Sequence, residues 1–183
     1  MTAKTPQVLL WFLLFLWFTG AAVSEAATGK LPGVENDAFY QYEPGFPASV
    51  AANNGKNSTV GITADAAVLM DADTGQLLYA KNPHRRMPIA STTKIMTALL
   101  AIECGNLGSP VMVSSRAAGV EGSSIYLRAG ESLVLEELVY GALMHSGNDA
   151  CVAIAEHVAS REDIFVQWMN LRAGLLGLKN TTF

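Results

Sequence analysis

The distribution of apolar and polar residues divides the 183-residue chain into three regions. Residues 1–26 contain an unbroken apolar run, VLLWFLLFLWF, at positions 8–18. Residues 27–63 show no apolar periodicity and contain many Gly, Asn and Pro residues, which predicts a flexible linker or arm. From residue 64 onward short apolar runs alternate with helical periodicities, so residues 64–183 are predicted to form the ordered domain.

The ordered region opens with a hairpin pattern. Two short apolar runs flank Asp71–Gly75, whose residues DADTG are typical of a turn. The two aspartates also raise the alternative of a calcium loop. A calcium loop of the EF-hand type would need Gly where Gln76 stands and Glu where Asn82 stands, so the turn is the favoured interpretation.

The next pattern predicts a helix over residues 91–103 that ends at Gly105. Its apolar spacing predicts a wide buried face made of Ile95, Met96, Ala98, Leu99 and Ile102. Residues 111–128 mix short apolar pieces with several glycines, and no element is predicted there.

Three further helices follow in the sequence pattern. Ser132 is the predicted N-cap of the first, and the polar residues at 145–148 separate the first from the second. The predicted ranges are 133–144, 149–159 and 162–176.

The N-terminal region has the plan of a secretory signal peptide. Lys4 precedes the apolar run of 11 residues, and small residues follow it, with Ser24 and Ala26 at a plausible cleavage site. The alternative is a transmembrane anchor, but the run is short of the roughly 20 residues that span a bilayer. We therefore expect residues 1–26 to be a signal peptide and the protein to be exported to the extracytoplasmic cell envelope, secreted or periplasmic.

The charge and the cysteines exclude several classes of function. A net charge of −4 with no basic stripe argues against nucleic-acid binding. Cys104 and Cys151 form no CxxC motif, so neither a zinc site nor a thioredoxin-like site is predicted. Export would allow the two cysteines to form a disulfide, but we interpret them as small buried apolar residues.

The other titratable residues give no metal or cofactor site. The three histidines have no second ligand at metal spacing, and we interpret them as surface or packing residues; they are His84, His145 and His157. Three glutamates are interpreted as solvated; they are Glu121, Glu136 and Glu137. No metal and no cofactor is therefore predicted.

The helix at residues 91–103 carries a chemically informative pair. In PIASTTKIMTALLAIE, Ser91 and Lys94 are three residues apart, and residues at that spacing are neighbours on a helix. A serine needs a base to become a nucleophile, and a neutral lysine amine can serve. The apolar surroundings and the helix N-terminus both favour loss of the lysine proton. The alternative is an N-cap serine beside a solvated lysine, because the spacing alone occurs by chance about once in a chain this long.

A second polar motif, Ser146-Gly147-Asn148, lies in the break between two apolar helices. A turn of this composition is common and carries little weight alone. In a cleft opposite Ser91 and Lys94, however, its hydroxyl could relay a proton toward a leaving group. Its amide could hold a substrate backbone and orient the lysine.

With these motifs, residues 66–183 resemble the low-molecular-weight penicillin-binding proteins, the serine D-Ala-D-Ala carboxypeptidases. The motifs of the wider superfamily are S-x-x-K, S-D-N and K-T-G, and S-G-N is similar to the carboxypeptidase branch. The resemblance lies in three stretches: AAVLMDADTGQLLYAKNPHRRMPIASTTKIMTALLAIE, EGSSIYLRAGESLVLEELVYGALMHSGNDACVAIAEHVA and FVQWMNLRAGLLGLKNTTF.

The resemblance implies an α/β fold of the β-lactamase/transpeptidase type, an antiparallel sheet with a helical subdomain. It implies that Ser91 is the acylated nucleophile, Lys94 its proton acceptor, Ser146 a proton relay and Asn148 a substrate-binding residue. The implied reaction removes the terminal D-alanine from peptidoglycan stem peptides through an acyl-enzyme. β-Lactam antibiotics would act as covalent inhibitors, and no cofactor or metal is implied.

One departure from the family pattern is the lack of a Lys-Thr-Gly motif after Asn148. Residues 64–183 are therefore expected to be the N-terminal part of the catalytic domain, truncated before the K-T-G strand. A chain of only these residues is expected to be inactive and poorly folded. The alternatives left open are a β-lactamase, a peptidoglycan DD-endopeptidase and a non-catalytic penicillin-binding remnant. Association with a membrane surface and the oligomeric state also stay open.

Overall fold

The computed structural model describes residues 61–183. The predicted signal peptide and most of the predicted linker lie outside the described residues. The chain divides into two compact units, one of which includes residues 61–90 and the other residues 91–183. Within the described residues, no helix has the length and apolar character needed to cross a membrane.

The predicted hairpin is confirmed. Strand β1 is Ala67–Met70 and strand β2 is Leu77–Lys81, and they pair antiparallel with an irregularity near Met70. The turn is closed by Asp71, whose carboxylate accepts hydrogen bonds from the Thr74 N–H (2.8 Å) and hydroxyl (2.6 Å). A side chain that replaces a backbone acceptor in this way is the reason that aspartate is frequent in turns.

The predicted helix at residues 91–103 is confirmed with a short 3₁₀ turn at its start. The 3₁₀ turn is Ala90–Thr92, helix α1 is Thr93–Cys104, and Gly105 is its C-cap. The predicted buried face was wrong in part, because Ile95 and Ile102 are 64% and 54% exposed. The residues that are buried instead are Lys94, Met96, Thr97, Ala98, Leu100 and Ala101. Apolar residues occur all round this helix, so its periodicity did not decide which side packs.

The region between α1 and the next long helix contains two short strands and a short helix that no pattern predicted. Strand β3 is Pro110–Met112, helix α2 is Ser115–Ala118, and strand β4 is Ser132–Val134. Strands β3 and β4 pair antiparallel, with Val111 opposite Leu133. Each strand has only three residues, and a long stretch of chain separates β3 from β4. Local patterns therefore gave no signal for the pairing.

The remaining helices are close to their predicted ranges. They are α3, Leu135–Met144; α4, Asn148–Ala159; and α5, Glu162–Leu175. The prediction that Ser132 caps α3 was wrong, since Ser132 lies in β4. The helix begins later than predicted, at Leu135, where the N–H of the preceding Val134 donates to the carboxylate of Glu137 (2.9 Å).

The core of the second unit lies around α4, which packs against α1, α2, α3, α5 and β3. Its largest fully buried apolar side chains are Leu100, Val111, Val113, Leu135, Leu138, Ile154 and Phe165. Helices α1 and α5 are also joined by an ion pair in which Arg172 donates to both carboxylate oxygens of Glu103 (2.6 and 3.1 Å). The N-terminal ends of α1 and α4 lie close together, because Lys94 of α1 donates to Asn148 of α4, and the candidate site lies at those ends.

Candidate active site

Lys94 is the centre of a polar cluster at the start of α1. Its side chain is buried, with 9% of the residue exposed. The Nζ atom donates to the backbone carbonyl of Ser146, to Ser146 Oγ (2.7 Å) and to Asn148 Oδ1 (2.8 Å). Three oxygen acceptors match the three N–H donors of an ammonium group, so the buried lysine is fully satisfied.

Ser91 lies on the exposed side of this cluster, in the 3₁₀ turn that precedes α1. The hydroxyl of Ser146 donates to Ser91 Oγ at 2.8 Å. Ser91 Oγ, Ser146 Oγ and Lys94 Nζ therefore form a continuous chain of hydrogen bonds. Such a chain can carry a proton between the serine and the lysine.

An unusual backbone conformation brings Ser146 to Lys94. Ser146 has φ +56°, in the left-handed region that favours glycine. It follows the end of α3, where the N–H groups of His145 and Gly147 both donate to the carbonyl of Gly141 (3.3 and 3.1 Å). Glycine commonly ends a helix in this way. Here a serine occupies the position, and both its carbonyl and its hydroxyl reach Lys94.

Asn148 is held on three sides at the first turn of α4. Its N–H donates to the carbonyl of Ser123 (2.7 Å), and its Nδ2 donates to the carbonyl of Glu121 (2.8 Å). Its Oδ1 accepts from Lys94. Gly122 lies against this amide with φ +98°, and a Cβ there would be only 2.6 Å from Asn148 Nδ2. The glycine is thus required both by its backbone angle and by the close approach.

Asp149 is a buried carboxylate that sequence reasoning missed. It is 1% exposed and accepts hydrogen bonds from the Ser124 hydroxyl (2.6 Å) and from the N–H groups of Ile125 (3.2 Å) and Leu127 (3.1 Å). Burial alone raises the pKa of Asp149, but these hydrogen bonds outweigh it and hold the pKa below its usual value. An acidic residue directly after the Ser-Gly-Asn motif was the one available signal.

The other residues considered from the sequence make none of the hydrogen bonds that join Ser91, Ser146, Lys94 and Asn148. His145 is exposed at the end of α3, and His157 Nε2 is 2.8 Å from Ser109 Oγ. Cys104 and Cys151 are free and half-buried, and burial raises the pKa of each thiol to about 11. Within residues 61–183, no group of three His, Cys, Asp or Glu side chains is arranged to hold a metal ion.

All four residues expected from the sequence therefore meet in one cluster: Ser91, Lys94, Ser146 and Asn148. A profile of the D-alanyl-D-alanine carboxypeptidases, peptidase family S11, matches residues 52–183. The chain belongs to the D-alanyl-D-alanine carboxypeptidase family. The resemblance inferred from the motifs is thus confirmed.

Two individual proteins are also similar to this chain. D-alanyl-D-alanine carboxypeptidase DacF of Bacillus subtilis is 43% identical over 143 residues, which are 75% of this chain and 37% of the relative. A D-alanyl-D-alanine endopeptidase of Pseudomonas aeruginosa is 32% identical over 124 residues, 67% of this chain and 40% of the relative. The chain thus spans about two fifths of the length of these relatives.

A solved structure supports the fold prediction. Penicillin-binding protein 5 from Haemophilus influenzae superposes with a TM-score of 0.63 at 36% identity, over 69% of this chain and 39% of that one. The predicted α/β fold of the transpeptidase type is confirmed by this likeness. The roles of the four clustered residues stay predictions.

Proposed function

We propose that this chain carries the nucleophile-bearing part of a serine-type D-Ala-D-Ala carboxypeptidase. The observation that supports the proposal best is the hydrogen-bonded series Ser91, Ser146, Lys94 and Asn148. Its substrate class would be peptidoglycan stem peptides that end in D-Ala-D-Ala. β-Lactams, which mimic such an end, would acylate the same serine and remain bound.

The proposed reaction begins when Ser91 Oγ attacks the carbonyl carbon of the penultimate D-alanine. The Ser91 proton passes to Ser146 Oγ, and the Ser146 proton passes to Lys94. This direction requires a neutral amine on Lys94, whose lone pair faces Ser146. In the structure the hydrogen bonds run the other way: Lys94 donates to Ser146, and Ser146 donates to Ser91. Reversing them moves hydrogen atoms and needs no movement of a heavy atom.

The same chain then returns the proton. Lys94, now an ammonium, donates through Ser146 to the amine nitrogen of the departing D-alanine as the peptide C–N bond breaks. This step leaves an ester between Ser91 and the shortened peptide. Water attacks the ester, and one of its protons passes to the Ser91 oxygen. The free enzyme and a carboxylic acid are formed, and the acid releases its proton to solvent as a carboxylate.

Asn148 would both hold the lysine and bind the substrate. Its Oδ1 is committed to Lys94 and one Nδ2 proton to the carbonyl of Glu121. An amide nitrogen has two protons, so the second is available to a peptide carbonyl of the substrate.

The place of action would be the extracytoplasmic cell envelope, because the substrate is peptidoglycan and residues 1–26 have the plan of a signal peptide. Association with a membrane surface would bring the enzyme close to this substrate. No cofactor is part of the proposed chemistry.

A second candidate activity is hydrolysis of peptidoglycan cross-links. It is favoured by the relative named as a D-alanyl-D-alanine endopeptidase, which is 32% identical to this chain. The same serine and lysine would attack either bond, so the two activities differ in the leaving group. A β-lactamase is the third candidate and would release bound penicillin quickly instead of slowly.

The proposal is tested by replacing the nucleophile in the protein expressed from its complete gene. We expect Ser91→Ala to abolish covalent labelling by a fluorescent penicillin, because no other hydroxyl occupies its position. The matched control is Ser132→Ala at an exposed serine of β4, which should label like the parent protein. Labelling of Ser91→Ala at the parent rate would refute the assignment. Release of D-alanine from a D-Ala-D-Ala peptide, compared with cleavage of a cross-linked dimer, decides between the first two activities.

A further inference from the structure

The segment of residues 121–127, here the 121–127 loop, is attached to the start of α4 by polar contacts at both of its ends. At its first end, the carbonyls of Glu121 and Ser123 accept hydrogen bonds from Asn148. At its second end, the N–H groups of Ile125 and Leu127 donate to the carboxylate of Asp149. Two consecutive residues of α4 thus hold the two ends of one loop.

The contacts at the second end depend on a negative charge. The carboxylate of Asp149 is buried, and a buried charge is costly unless hydrogen bonds satisfy it. Three of its donors belong to the loop: the Ser124 hydroxyl and the N–H groups of Ile125 and Leu127. The Ser124 hydroxyl oxygen in turn accepts from the N–H of Tyr126 (2.8 Å), so three successive backbone N–H groups point inward.

The contact at the first end determines how the Asn148 amide is turned. An asparagine amide has a donor end and an acceptor end, and only the acceptor end can accept a hydrogen bond from Lys94. The carbonyl of Glu121 accepts and cannot donate, so it selects the orientation in which Nδ2 faces the loop and Oδ1 faces Lys94. If the loop moved away, the contact of Asn148 with Glu121 would no longer contribute to this selection, and only the hydrogen bond from Lys94 would favour the orientation.

We propose that Asp149 is a positioning residue of the site: it fixes the 121–127 loop so that the Glu121 carbonyl holds the Asn148 amide toward Lys94. Asp149 acts through the loop and Asn148, not on Ser91 directly. This role deepens the proposed function and relies on it for the kinetic readout. The rival explanation is that Asp149 only stabilises the start of α4, where its carboxylate also accepts from the N–H of Ala150 (2.9 Å).

The first test compares rates of acylation by a fluorescent penicillin in the protein expressed from its complete gene. Asp149→Asn replaces half of the acceptor by a donor, and we expect acylation to slow on the order of tenfold or more. Ser124→Ala removes one donor to the carboxylate and should also slow acylation, by a smaller factor. If Asp149→Asn does not fold, Ser124→Ala serves as the test variant in its place. The matched control is Asp163→Asn, since Asp163 also lies in the first turn of a helix but pairs with Arg161.

The second test separates positioning from stabilisation of the helix. Asp149→Asn and Asp163→Asn are repeated in the Asn148→Ala background, at a temperature where every variant is folded. If Asp149 acts through Asn148, its replacement will have little further effect there, because residues that act as a unit are not additive. The same loss in both backgrounds, or no loss when Asn148 is intact, would overturn the proposal.

A third measurement does not depend on activity. In the ¹⁵N NMR spectrum, Asp149→Asn should speed the exchange of the Ile125 and Leu127 amides and shift the Asn148 side-chain NH₂ signals, whereas Asp163→Asn should do neither. If the parent protein takes up no penicillin, the proposed function fails, and these signals still decide on the positioning role. Unchanged Asn148 signals in Asp149→Asn would count against it.

Discussion

The unit that includes residues 61–90, here the hairpin unit, and the unit that includes residues 91–183, here the helical unit, differ in how far their charged groups are buried. No residue between 61 and 90 is buried, and an ion pair of that unit, Arg85 with Asp65, is exposed and 4.0 Å long. In the helical unit the charged groups of Lys94, Asp149 and Arg172 are all buried. Water screens the first kind of contact, while burial strengthens the second and makes its loss costly.

The comparison indicates why chemistry is found in the helical unit. A buried charge keeps one geometry because every alternative leaves it unsatisfied. An exposed charge can exchange a protein partner for water at little cost. The defined placement of Lys94 therefore follows from its burial. Lys81 on the hairpin is only half-buried, and it donates to the carbonyl of Ile62 (2.9 Å).

The largest difference should appear on truncating one leucine in each unit. Leu100 in α1 is fully buried, and Leu100→Ala should lower the free energy of unfolding by about 3–4 kcal/mol, since it removes buried surface and leaves a cavity. Leu78 in β2 is 57% exposed, and Leu78→Ala should cost less than about 1 kcal/mol. Urea unfolding of both variants measures the difference. An equal loss for both would mean that the hairpin face is covered in the native protein.

The next difference concerns the ion pairs. Glu103→Ala leaves the buried guanidinium of Arg172 without its carboxylate, and should cost about 3 kcal/mol. Asp65→Ala breaks the exposed pair with Arg85 and should cost about 0.5 kcal/mol or less. Thermal unfolding in low and high salt gives both values, and only the Asp65 effect should shrink with salt. A Glu103→Ala variant as stable as the parent would contradict the importance of burial.

The smallest expected difference between the two units concerns a feature that they share. Ser146 and Asn82 both have left-handed backbones, with φ +56° and +47°. At each position the Gly variant should be more stable than the Ala variant by about 1 kcal/mol, because only the Cβ differs and it is strained there. Chemical unfolding of the four variants measures the two differences. A Gly–Ala difference at Asn82 but none at Ser146 would mean that Ser146 is not left-handed in solution.

The two Ser146 variants also carry a functional readout. Both remove the hydroxyl that joins Ser91 to Lys94, so both should acylate far more slowly than the parent, although Ser146→Gly relieves the strain. The corresponding Asn82 variants should acylate normally. A fast Ser146→Gly enzyme would remove Ser146 from the proposed proton path.

The features that local sequence predicted are those that local physics determines. The hairpin at Asp71 and the four main helices follow from spacing within one element. The meeting of the S-x-x-K and S-G-N motifs, whose Lys94 and Ser146 are 52 residues apart, was expected from the resemblance to the carboxypeptidase family and not from local spacing. The prediction was wrong where several faces of one helix were similarly apolar, as at Ile95 and Ile102. It was also wrong where Ser132 was interpreted as a helix cap. The β3–β4 pair and the contacts of Asp149 were missed because their partners are distant in the chain, beyond the reach of any local pattern.

Different roles belong to consecutive residues in the segment Ser146, Gly147, Asn148 and Asp149. This restricts insertions and deletions in that segment. A substitution removes the role of one residue, but an inserted or deleted residue would displace the side chains of all later residues of the segment at once. Each residue of a helix turns its side chain by about 100°, so one missing residue before α4 would point Asp149 where Asn148 now points. The number of codons between α3 and α4 is therefore as much a part of the site as the side chains. The exposed turn at Ser160, between α4 and α5, contributes no residue to the proposed site and should tolerate an inserted or deleted residue.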